Sequence, residues 1–126
     1  IADRAFYNCS NLSSITIPES VKYIMGYSFY GCSLERLTIP KTITYISSLA
    51  LENVPSLRTL RLECSLDALN TQFLGYCGSL KTIYVPAEKI EEYKKFDCLV
   101  RYADKIVAIG NNNDSDFDDN VFDDSI

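Results

Sequence analysis

Apolar residues return along this chain at intervals that neither a helix nor an ordinary sheet sequence produces. Leu12-x-x-Ile15-x-Ile17, Leu34-x-x-Leu37-x-Ile39, Leu57-x-x-Leu60-x-Leu62 and Leu80-x-x-Ile83-x-Val85 are four versions of one motif. Alternation at the end of each motif predicts a short strand with one buried face, because side chains two apart share a face. The strands are expected at Ser14–Ile17, Arg36–Ile39, Thr59–Leu62 and Thr82–Val85. Proline follows in three copies, as Pro18, Pro40 and Pro86, and lacks the N–H needed to continue a ladder.

The repetition extends beyond the strands. Counted from Ile1, Ile24, Ile46 and Leu69, the copies are offset by 23, 22 and 23 residues. Phe6, Phe29, Leu51 and Leu74 form one apolar column; Cys9, Cys32, Val54 and Cys77 form another, and Val21, Ile43 and Leu66 a third. A fixed period of this size implies stacked units that share one core. Burial at roughly 25 cal/mol per Å2 of apolar area would hold such a stack together.

Taken together, Ala5, Phe6, Cys9, Leu12, Ile15, Ile17, Pro18, Val21 and Ile24 resemble the BspA-like leucine-rich repeat. The second copy follows this pattern with one residue deleted after Cys32; the third departs from it at Val54 and Glu63. The resemblance covers residues 1–96. It implies a right-handed α/β repeat solenoid with one curved parallel sheet of short strands and a C-terminal helical cap. The expected division is four repeats (1–23, 24–45, 46–68, 69–86), a helix and strand cap at 87–110, and an acidic disordered tail at 111–126. The resemblance also implies a cell-surface or secreted protein used for adhesion or recognition. The alternatives are a structural spacer or cytoplasmic scaffold without its own ligand, or an accessory glycan-binding module.

Between Pro86 and Gly110 the repeat pattern gives way to a different one. Ile90, Tyr93 and Phe96 share a helical face, with Glu88, Glu91 and Glu92 early and Lys94 and Lys95 late, the order that a helix dipole favours. Ile106–Ile109 then reads as a strand covering the last open edge. The first copy has no comparable polar cap, so further repeats are expected before Ile1.

Charge refines the picture only at the end of the chain. The net charge of −5 comes from 17 acidic and 12 basic residues, and six of the acids are Asp114, Asp116, Asp118, Asp119, Asp123 and Asp124. Without them the repeats are nearly neutral, which leaves no basic stripe for nucleic acid. Asp114, Asp116 and Asp118 alternate as in a calcium loop, but Asp119 replaces the turn glycine and Ser125 the bidentate Glu. No apolar run approaches a membrane span.

Candidate chemistry is sparse. With no His, the familiar nucleophile systems cannot be assembled, and no CxxC or phosphate-cradling glycine loop occurs. The chain reads as a non-enzyme with no cofactor and no metal. Its cysteine column is expected to be reduced and buried, with Cys64 and Cys98 able to pair only if the cap folds back. Binding falls to the outward rows of the sheet, expected to be concave. Ser14, Arg36, Thr59 and Thr82 form one row; Thr16, Thr38, Arg61 and Tyr84 form the next. The candidate site is Arg36, Thr38, Thr59, Arg61, Thr82 and Tyr84, facing a protein or glycan partner, in a chain expected to be monomeric. Tyr7, Tyr27 and Tyr30 make a second patch near the opposite turns, or simply lie flat over neighbouring copies.

Overall fold

The structure, a computed structural model, describes residues 1–110. The acidic tail and its calcium reading lie outside the described residues. Among the described residues there are six strands: β1 Tyr23–Ile24, β2 Arg36–Ile39, β3 Tyr45–Ile46, β4 Thr59–Leu62, β5 Thr82–Pro86 and β6 Ile106–Ile109. They form two parallel sheets, a four-stranded one in the order β2-β4-β5-β6 and a two-stranded one, β1-β3.

The large sheet joins like positions of successive copies. Arg36 pairs with Thr59 and Thr59 with Thr82; Thr38 pairs with Arg61 and Arg61 with Tyr84. Leu37, Leu60 and Ile83 therefore fall in one inward file, and all three are buried. Phe29, Leu51 and Leu74 fill the neighbouring column, and Cys32, Val54 and Cys77 the next. The expected single sheet is thus only part of the arrangement. At the opposite corner of each repeat, Tyr23 pairs with Tyr45 and Ile24 with Ile46, and Ile46 bridges to Leu69. Two-residue strands leave no periodic signal in the sequence.

The turn side is held by backbone bonds from each copy to the next. Phe6 N–H donates to Ser28 O at 2.8 Å, Phe29 N–H to Ala50 O at 3.2 Å and Leu51 N–H to Phe73 O at 3.0 Å. Residues at matching positions adopt left-handed backbone: Arg4, Tyr27 and Leu49 have φ of 59°, 55° and 58°. Asn8, Gly31 and Asn53 repeat this at 59°, 76° and 56°. Asn and Gly suit that region, whereas Tyr and Leu do so at a cost of about 1–2 kcal/mol each.

The first copy departs from expectation. Ser14–Ile17 forms no strand, although its sequence matches β2 position for position. On the sheet side the bond from Glu35 N–H to Ser13 O is stretched to 3.4 Å, while Arg58 N–H to Glu35 O and Lys81 N–H to Arg58 O are both 2.8 Å. The first copy is therefore joined to the second on the turn side and by Ser33 N–H to Leu12 O at 3.1 Å, but it forms no ladder with β2 along Ser14–Ile17.

The cap closes the other end. A 3-10 turn at Ala87–Lys89 leads into α1, Ile90–Lys94, shorter than the expected helix. A longer 3-10 segment at Asp97–Lys105 delivers β6 to the edge of β5, parallel and in register from Ile83↔Ile106 to Pro86↔Ile109. Tyr93 is buried and its hydroxyl donates to the Cys64 carbonyl at 2.8 Å, so the cap does fold back onto the third copy. Cys64 and Cys98 nevertheless remain free thiols.

Candidate functional site

The six predicted site residues lie on three adjacent strands, as the register requires, but they are not equally accessible. Arg36, Thr38, Arg61 and Thr82 are half-buried and reach the surface of the large sheet. Thr59 is 8 % and Tyr84 4 % exposed, so neither is the open contact expected from its place in the row. The reason is lateral. Thr59 is a short side chain between Arg36 and Thr82, and Tyr84 lies between Arg61 on one strand and Val107 on the other. Neighbouring strands only about 4.8 Å apart let long side chains shade those between them.

The Arg61 guanidinium is held by the Glu63 carboxylate, with Nε 2.7 Å from Oε2, in a part-buried setting. Residues two apart on a strand share a face, so this pair was visible in Arg61-x-Glu63 and was missed. Arg58 and Glu35 make a further ion pair, this one between copies, at 3.0 Å, more exposed and correspondingly weaker. The sheet surface thus offers donors of fixed direction, suited to carboxylates and carbonyls.

Beside these rows, where the first copy parts from β2, a groove of about 670 Å3 opens. It is lined by Ser14, Thr16, Arg36 and Thr38 together with Glu19 and Glu63.

The second patch behaves differently. Tyr7 stacks on Tyr30 with ring centres 4.9 Å apart and planes 12° from parallel, and Tyr27 meets Tyr30 edge-on at 5.7 Å. The Arg4 guanidinium lies 5.1 Å from the Tyr27 ring centre and 5.9 Å from that of Tyr7. These tyrosines lie over their neighbours and cement the first two copies, as stacked rings and cation–π pairs do.

The cysteine column divides. Cys32 and Cys77 are buried, but Cys9 is exposed, correcting the expectation for all three. Burial pushes the Cys64 and Cys77 thiols up to about 12, and it also raises Cys32 and Cys98. High thiol pKa values mean little thiolate at neutral pH, so these are poor nucleophiles and metal ligands. Among the described residues no cluster of His, Cys, Asp and Glu could hold a metal ion, and no helix is long and apolar enough to cross a membrane.

Copies of 22 or 23 residues, joined strand to strand by parallel pairing of like positions, define a leucine-rich repeat protein. The chain belongs to the BspA type leucine-rich repeat family, whose repeat region of six copies matches residues 1–125. The match runs well past the 1–96 stretch in which the motif is evident by eye. No curated protein matches the chain.

Proposed function

We propose that the chain is a protein-recognition or adhesion module of a surface-displayed or secreted repeat protein. Its binding surface is the outward side of the four-stranded sheet, with Arg36, Thr38, Arg61 and Thr82 as contacts. The observation that supports this most is the arrangement of those side chains on a backbone fixed by inter-strand bonds, partly open to solvent and rich in directed donors. A rigid array forms contacts without first having to order itself, which favours affinity. Membership of the family supports the same reading, since stacked repeats offer extended surfaces for partners.

The immobilised chain, used to capture proteins from an extracellular-matrix preparation, tests this. Arg61→Ala should leave the thermal unfolding curve nearly unchanged and weaken binding of a captured protein by more than about 1 kcal/mol. Undiminished affinity in Arg61→Ala and in Arg36→Ala would move the site off this sheet.

A further inference from the structure

Two of the five thiols stand at one position of the repeat in neighbouring copies. Cys9 and Cys32 are separated by 23 residues, the offset between the first copy and the second. Just before them the two copies run side by side. The Phe6 and Phe29 rings stack with centres 5.5 Å apart, and those of Tyr7 and Tyr30 at 4.9 Å. Asn8 N–H donates to Tyr30 O at 2.6 Å, and a Cβ added to Gly31 would stand 3.3 Å from the Asn8 Cα. Cys9 and Cys32 are the next like pair.

The Cys32 side chain is turned toward the first copy. Its thiol donates to the Phe6 carbonyl at 3.1 Å, and Cys9 N–H donates to that same oxygen at 3.1 Å. The Cys9 backbone and the Cys32 sulphur thus meet at one acceptor. Burial raises the Cys32 thiol, and the neighbouring Cys9 adds to it, in keeping with that contact. Cys77 has the same posture without the same neighbour. Its thiol points at the matching carbonyl, Leu51 O, at 3.9 Å, and Val54 stands in the place of Cys9. Among the described copies, only the junction of the first with the second has a column cysteine on both sides.

We propose that Cys9 and Cys32 are a redox pair, which a small-molecule disulfide oxidises to a bridge between the first and second copies. Like positions one strand spacing apart, about 4.8 Å, fall within the roughly 4.4–6.8 Å that the Cα atoms of a disulfide span. Cys9 is exposed and attacks first: its thiolate displaces one thiolate from the oxidant and is left as a mixed disulfide. Cys32 then gives its proton to solvent, and its sulphur attacks the Cys9 Sγ and releases the second thiolate. Two protein thiols are oxidised, one oxidant disulfide is reduced to two thiols, and the two protons end on those. A buried thiol is slow to react in an encounter, but one held beside its target needs none. The bridge adds a covalent tie to a copy that forms no ladder with β2, and it is independent of what the sheet binds.

The test treats the folded full chain with oxidised glutathione, with dithiothreitol as the reducing reference. Mass spectrometry after trypsin should find Ala5–Lys22 joined to Tyr23–Arg36, and dithiothreitol should separate them. Amide exchange at Asn8, which donates across this junction, should slow by about tenfold or more on oxidation and recover on reduction. In Cys32→Ser the second step has no thiol, so Cys9 should retain its glutathione.

A glutathione adduct that persists on Cys9 of the unaltered chain, a bridge between the Cys9 residues of two chains, or joined fragments that form only in denaturant would each overturn the redox pair. Unchanged exchange at Asn8 in the bridged chain would overturn the fastening of the first copy.

Discussion

The first copy and the third have nearly the same inward pattern, yet one is loose and the other is core. Leu60 is fully buried and Ile15, at the matching position, is half-buried; Val54 is buried and Cys9 exposed. The third copy is bonded on both sides of the sheet, whereas the first has a stretched 3.4 Å contact where its ladder should begin. Burial in a repeat array is therefore not a property of the copy. It is a property of the pair of neighbours, as expected where stability is a sum of nearest-neighbour interfaces.

The sharpest way to break that comparison is a matched pair of cavities. Leu60→Ala should lower stability by about 2–5 kcal/mol in denaturant unfolding, and Ile15→Ala by less than half as much. Equal losses would mean that the first copy is as well packed as the third.

Alkaline pH probes the same contrast through the thiols. Cys64 and Cys77 ionise near 9 when exposed by unfolding and near 12 in the folded chain. The unfolded chain therefore loses those protons first. The stabilising contribution is whole below pH 9 and declines between 9 and 12, by up to about 1.4 kcal/mol per pH unit for each thiol. Replacing both with Ala should flatten the fall of stability with pH. In native labelling at neutral pH, Cys9 should react rapidly and Cys32, Cys64, Cys77 and Cys98 only on unfolding.

The cap supplies a smaller test. Tyr93→Phe removes the donor to the Cys64 carbonyl and leaves that acceptor buried, for a loss of about 1–3 kcal/mol. Smaller still is the surface pair. Arg58→Ala should change stability by less than about 1 kcal/mol, because Arg58 and Glu35 are both substantially exposed. A larger effect would show that inter-copy ion pairs, and not the buried files alone, hold the stack.

Much of the fold was legible because repeated positions corroborate each other. Leu37, Leu60 and Ile83 share one position of the repeated motif, and they lie in one buried file. The return strand at Ile106–Ile109 and the buried face of Tyr93 were legible too. What escaped depends on lateral neighbours. Thr59 and Tyr84 alternate outward as expected, but their exposure is decided by Arg36, Arg61 and Val107 on adjoining strands. The β1–β3 pairing was invisible because two residues carry no period. The parting at Ser14–Ile17 was invisible because its sequence is indistinguishable from that of a paired strand.

One feature of the turn side bears on how such a chain changes over generations. Each copy meets the next through peptide groups at matching positions, Phe6 to Ser28, Phe29 to Ala50, Leu51 to Phe73. Peptide groups are common to every residue but proline, so these junctions are largely indifferent to the side chains around them. An in-frame duplication of residues 24–45 would thus give the new unit the same junctions above and below. Array length is then a quantity that copying errors in the gene can adjust in whole steps, while point changes on the outward rows alter what each step presents. The two kinds of variation act on separate parts of the repeat, so reach and specificity can drift independently.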